Sequence, residues 1–317
     1  MRMGSKRRPS WRWLGVAAAL GVTLLASGCS TSFAFGLGDP GGRVLAVGAE
    51  NEYATVIQQV GGKYVLVNAI LSNPNTDPHT FEASAAVGRE LNQAQLVVQN
   101  GAGYDEFMNT IESAVPSSSR KVVVVQNLLG LPDSTPNPHL WYRPGTMSAV
   151  ASAVAADLAA IQPAHAAYFK ANAAAFTASL KGWADAIAAF KAGYPGTPVA
   201  TTEPVADYLL QALGADNLTP WAFQADIMNG TDPSAQDVSA ERDLLTRHQV
   251  KALVYNQQVT DSLTESFIAL ARANGIPVVG VYETMPAPGY DYQSWMRAEV
   301  QALRNAITSH TSTEHLS

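Results

Sequence analysis

The chain has 317 residues, 47% of them hydrophobic, with 20 Lys and Arg against 26 Asp and Glu, a formal net charge of −6 and a single cysteine. One cysteine excludes an internal disulfide, and an acidic balance does not suit a nucleic-acid-binding protein. It suits solubility and the attraction of cations.

The first residues read as an export signal. Arg2, Lys6, Arg7, Arg8 and Arg12 precede an apolar run from Leu14 to Leu25, too short to span a bilayer comfortably. The run closes on Leu25-Ala26-Ser27-Gly28-Cys29, where small residues lead into the lone cysteine. A lipobox accounts for this, with residues 1–28 removed as a signal peptide and Cys29 diacylated. The alternative is cleavage elsewhere, with Cys29 incidental. Two acyl chains would anchor the mature chain on the outer face of the bacterial cell membrane. Removal of residues 1–28 takes away five of the 20 basic residues and no acidic ones, leaving a charge of about −11.

Residues 29–43, rich in Ser, Gly and Pro, read as a flexible tether. Short apolar runs then recur at Val44 to Val47, Tyr64 to Ile70, Leu96 to Val98, Val122 to Val125, Val199 to Thr202, Ala252 to Tyr255 and Pro277 to Tyr282. Runs of this length, bounded by turn residues and separated by helical patterns, predict buried parallel strands in an α/β fold. Met147 to Ile161 is Ala-rich and helical in pattern. From Pro163 onward, Phe169, Ala173, Phe176, Leu180, Trp183, Ile187 and Phe190 alternate spacings of four and three, which predicts one long amphipathic helix. At about 1.5 Å per residue it spans on the order of 40 Å and could run across two lobes, although an ordinary core helix fits the same spacing. The expected organisation is a lobe at 44–145, a helical segment at 146–193, a second lobe at 194–309 and a disordered tail at 310–317.

Six histidines are available for chemistry. His310 and His315 fall in the polar tail, His165 in a first helical turn where exposure is expected, and His248 at a helix end. His79 and His139 each follow a proline in a loop beyond an expected strand, in Asp77-Pro78-His79 and Asn137-Pro138-His139. The fixed backbone before each imidazole suits a ligand that must hold still, while simple exposure is the bland alternative. Glu203 and Glu283 stand at the ends of two further strands, where open α/β sheets bind ligands. Alone, Glu203 reads equally as a charge at a helix N-terminus and Glu283 as a solvated loop end.

The stretch Asp77 to Asp105, with Pro78-His79, Glu82 and Val97-Val98-Gln99-Asn100-Gly101-Ala102-Gly103-Tyr104, resembles the metal-specific solute-binding lipoproteins of bacterial ABC importers. So do Asn137-Pro138-His139-Leu140-Trp141, Thr202-Glu203-Pro204, Asp232-Pro233-Ser234, and Gly275-Ile276-Pro277 leading into Tyr282-Glu283-Thr284. This is the zinc/manganese family, periplasmic solute-binding protein family 9. The resemblance runs from about Val44 to Asn305. It implies two lobes, each a parallel sheet flanked by helices, joined by one long rigid helix. It also implies four metal ligands, two per lobe, which carry over to His79, His139, Glu203 and Glu283. Glu283 replaces a more usual Asp, Tyr142-Arg143 replaces a common Leu-Asp, Ala83 replaces a common Pro, and no His-rich loop lies between His79 and His139.

The implied cargo is one divalent transition-metal ion, zinc or manganese with ferrous iron also compatible, since two imidazoles and two carboxylates make a fairly hard shell. The implied partners are an importer permease and its ATPase, with the protein a monomer, tethered to the membrane, not an enzyme and not bound to nucleic acid. Two other classes remain formally open. One is an adhesion or interaction lipoprotein on the same fold, and the other is a metal-dependent hydrolase, which would need an open coordination position and a nearby base.

Overall fold

In the computed structural model, which describes residues 41–74, 81, 83–286 and 289–316, each of the seven apolar runs becomes a strand. Cys29, the signal segment, the tether up to residue 40, His79 and Glu82 lie outside the described residues. The first half comprises β1 (Val44–Glu50), α1 (Asn51–Gly61), β2 (Val65–Leu71), α2 (Ala85–Gln93), β3 (Leu96–Gln99), α3 (Glu106–Ala114), β4 (Lys121–Val124) and α4 (Val125–Leu128). Helices α5 (Thr146–Ile161), α6 (Ala166–Ser179) and α7 (Lys181–Gly193) follow. The second half comprises β5 (Pro198–Thr201), α8 (Asp207–Leu213), β6 (Asp216–Asn217), α9 (Trp221–Met228), α10 (Ala235–Thr246), β7 (Leu253–Asn256), α11 (Ser262–Ala273), β8 (Val278–Val281) and α12 (Tyr292–Ser309).

The strands form two four-stranded parallel sheets, ordered β2-β1-β3-β4 and β6-β5-β7-β8. Their strands read as continuous apolar runs because both faces are covered. Val44 and Ala46 of β1 point into the main core, while Leu45, Val47 and Ala49 point into a smaller one with Leu91 and Met108. In the second sheet Ala252 and Val254 enter the main core, and Leu253 and Tyr255 enter a core with Phe223 and Phe267. The main core therefore joins the inner faces of both sheets, closed by Trp141, Tyr142, Trp183, Tyr292 and Trp295.

The structure adds detail to two expectations. The apolar spacing through Phe176, Leu180 and Trp183 continues without a break, yet the helix divides at Leu180 into α6 and α7. The division falls between Ser179, whose hydroxyl bonds the Phe176 carbonyl at 2.6 Å and receives Gln293 Nε2 of α12 at 2.7 Å, and Gly182. Serine and glycine are the residues at which helices bend. Residues 310–316 are also ordered against β8, where disorder was expected, with Thr313 bridged in parallel to Val279. Their contacts are made to β8 and to distant residues such as Gln257 and Arg272, which leave no local apolar pattern. Among the minor histidines, His165 is half-buried and stacks on Tyr64 at 3.7 Å between centroids, and His248 ends α10 with φ 51°.

Candidate metal centre

His139 leaves the loop after α4, at the start of a 3₁₀ turn spanning Leu140–Tyr142, and is fully buried. Asn137 Oδ1 receives the His139 backbone N–H at 3.0 Å and lies 2.8 Å from the ring Nδ1. An amide oxygen accepts only, so Nδ1 carries the hydrogen and Nε2 presents a lone pair. Tyr104 and Trp141 pack edge-on against the ring at 5.9 and 5.3 Å. Nε2 faces Glu283 Oε2 at 3.5 Å. A lone pair opposite a carboxylate oxygen is a pair of acceptors, which a shared proton or metal cation reconciles.

The carboxylates arrive from the second sheet. Glu203 follows β5, and it is not a helix N-terminal charge, because α8 begins only at Asp207 and Glu203 is 3% exposed. Glu283 follows β8 and is fully buried, so it is not a solvated loop end. Asn256, the last residue of β7, joins them: its Nδ2 donates to Glu203 Oε2 at 3.2 Å and to Glu283 Oε1 at 2.5 Å, while its Oδ1 receives Gln258 N at 3.0 Å. Gln258 Oε1 in turn receives the backbone N–H groups of Glu283 and Thr284 at 2.7 and 2.8 Å. Sequence reading missed Asn256 and Gln258, although both stand directly beyond the apolar run Ala252 to Tyr255, the same strand-end position that singled out the two acids.

The halves are stitched together around these side chains. Asn137 Nδ2 donates to the Pro204 carbonyl at 2.7 Å, Tyr208 donates to the Asn137 carbonyl at 3.0 Å, and Asn51 bonds both backbone groups of Met285 at 2.8 and 2.9 Å. Tyr142, which stands where Leu is common, sets its hydroxyl against the backbone of Tyr282, 2.9 Å from O and 3.3 Å from N. It also lies 3.1 Å from Glu299 Oε1, which receives Trp295 Nε1 at 2.8 Å. Tyr142 has one hydroxyl proton for two acceptors, so a protonated Glu299 best satisfies the group. Burial agrees, pushing the Glu299 carboxyl up to about 8.

The loop beside Tyr104 is fixed by Asp105, whose carboxylate receives the N–H groups of Asn100 and Gly101 at 2.6 and 2.8 Å while Gly101, Ala102 and Gly103 all take positive φ. Glycine meets that requirement without strain on either side of Ala102. Burial, opposed by those N–H groups, raises Asp105 to about 6. Burial first, and the charges of Asp105 and Glu52, raise Glu50 well above the usual carboxylate range. Burial likewise raises Glu52, with Glu283 and Asp105 adding to the effect. Burial and the Glu283 charge raise Tyr104. The interior next to Glu283 is thus rich in carboxylates, a setting in which a cation is favoured. Among the described residues, no three His, Cys, Asp or Glu side chains stand together so as to hold a metal ion by themselves. The structure brings His139 to Glu283 and links Glu203 to Glu283 through Asn256.

The family model described as zinc-uptake complex component A, periplasmic, matches residues 47–306. The chain belongs to this family. Its members are solute-binding proteins and not enzymes, which removes the hydrolase alternative. The manganese-binding lipoprotein MntA of Bacillus subtilis is 23% identical over 272 residues, covering 82% of this chain and 85% of that protein. Among solved structures, FpvC from Pseudomonas aeruginosa in complex with Mn2+ superposes with a TM-score of 0.69 at 19% identity, covering 84% of this chain and 99% of FpvC. The laminin-binding adhesin Lmb from Streptococcus agalactiae has the same fold, with a TM-score of 0.69 at 18% identity over 84% of this chain and all of Lmb. The two-sheet α/β architecture is common to them.

Proposed function

We propose that this protein captures one divalent transition-metal ion, zinc or manganese, through His79, His139, Glu203 and Glu283, and delivers it to the permease and ATPase of an ABC importer. The observation that carries the reading is the meeting of a tautomer-fixed imidazole from the first half with the buried Glu283 of the second, which Asn256 links to the buried Glu203. His79 joins the set through the Pro-His motif and its resemblance to the family. Completion of the shell falls to His79. Two carboxylates cancel the charge of a dication, and neutral imidazoles complete a four-donor set that tolerates desolvation. Such a shell is harder than one with three imidazoles and accommodates manganese as well as zinc. Release follows when protonation or a movement imposed by the permease withdraws a carboxylate. Cys29 carries the lipid anchor in this reading, and the protein acts as a monomer.

Elemental analysis after purification without added metal, followed by competition between zinc and manganese, should give about one equivalent of metal at a four-donor site. The variant carrying both His139→Ala and Glu203→Ala should bind none. Unchanged stoichiometry in a folded double variant would sink the assignment.

A further inference from the structure

Residues 311–316, ordered against β8, contact residues next in sequence to the supports of the proposed metal site. His310 leaves α12 with φ 50°, and the following residues run along the free edge of β8. Thr313 N donates to the Val278 carbonyl and Gly280 N to the Thr313 carbonyl, both at 2.9 Å, and Ser312 Oγ receives Val278 N at 3.0 Å. Gln257 Nε2 donates to the Glu314 carbonyl, and the Glu314 carboxylate pairs with Arg272 of α11. Leu316 N donates to the Tyr282 hydroxyl at 3.1 Å, and the Leu316 side chain packs on the main core.

These attachment points adjoin the supports of the site. Gln257 lies between Asn256, which holds both carboxylates, and Gln258, which holds the Glu283 backbone. Tyr282 immediately precedes Glu283. Gly280, an unfavourable residue within a run of valines in β8, is explained by the same contact, because a Cβ there would overlap the Glu314 carbonyl.

We propose that residues 311–316 form a strap that positions the Asn256 and Glu283 side of the metal site, so that its attachment sets how long the bound ion stays. The inference rests on the metal-site reading above. Two ladder bonds, three further hydrogen bonds through Ser312 Oγ, the Glu314 carbonyl and Leu316 N, an ion pair whose Arg272 side chain is 56% exposed, and one leucine hold the strap at the edge of the sheet, where local release is easier than in its centre. Tyr282 transmits that release to Glu283 through one peptide unit, and Gln257 transmits it to both carboxylates through the neighbouring Asn256 side chain.

The test is the rate at which a competing chelator removes Mn2+ or Zn2+ from the full chain and its variants. Gly280→Ala and truncation after His310 should retain one equivalent yet release it about tenfold faster, the scale at which outer supports of metal ligands act. Arg272→Glu and Glu314→Arg should each speed release about twofold to threefold, and the double reversal should restore the original rate. Restoration separates positioning from a general loss of stability. One equivalent bound with unchanged release in Gly280→Ala and both single reversals would overturn the strap, even if the truncated chain failed to fold. No metal bound by the unaltered chain would overturn the site reading itself, and the strap with it.

Discussion

The proposed donors from the two halves are held in different ways. Glu203 and Glu283 leave parallel strands and share one support, Asn256, on the strand between them. His139 leaves an irregular loop and is oriented by its own neighbour two residues back, Asn137, with aromatic rings behind it. The second half thus couples its two proposed ligands, whereas the first half sets its imidazole locally. A change at the shared support should act on both carboxylates, and a change at the local one on a single donor.

Asn256→Ala breaks this arrangement most severely. It should lower metal affinity about 100-fold, read by titration against a chelator of known strength, because both carboxylates lose their orienting bond. Asn137→Ala should cost about tenfold by the same measurement, since it releases the tautomer and angle of one donor ring and the bond to the Pro204 carbonyl, while Asn256 still holds both carboxylates. Equal losses in the two variants would contradict the coupling of the carboxylates. Tyr142→Phe removes a hydroxyl serving the Tyr282 backbone and Glu299, and should lower unfolding stability by roughly 1–3 kcal/mol in denaturant titration, with a smaller effect on affinity.

The smallest expected effect is on pH dependence. Glu299 is raised from 4.5 to about 8 in the folded protein, so between those values the folded state holds a proton that the unfolded chain lacks. Stability from this group is therefore present at low pH and declines as pH rises through the window. Thermal unfolding of metal-free protein should show Tm falling from pH 5.5 to 7.5, and Glu299→Gln should flatten the slope. Glu241, also raised to about 8 by burial, and Glu50 and Glu52, raised well above the usual range, leave a residual slope of the same sign. An unchanged slope in Glu299→Gln would contradict a protonated Glu299.

The same contrast explains what the sequence revealed. Strands buried on both faces are legible as apolar runs, and β6, only Asp216 and Asn217, has no run to read. Glu203 and Glu283 were legible as acids at strand ends, while His139 depended on a Pro-His repeat and a family resemblance. Their supports were not legible, because the Asn256 bridge joins residues 53 and 27 positions away and the Tyr142 bond reaches 140 positions. The ordered tail escaped for the same reason, its bonds being made to β8 rather than within itself. The break at Leu180 was hidden because the apolar spacing passes through it undisturbed.

X-ray absorption of the manganese- or zinc-loaded protein tests the central claim most directly. The account predicts two imidazole nitrogens together with carboxylate oxygens and no sulfur, and loss of one imidazole signal in His139→Ala. A shell without imidazole, or one unaltered by that substitution, would contradict it.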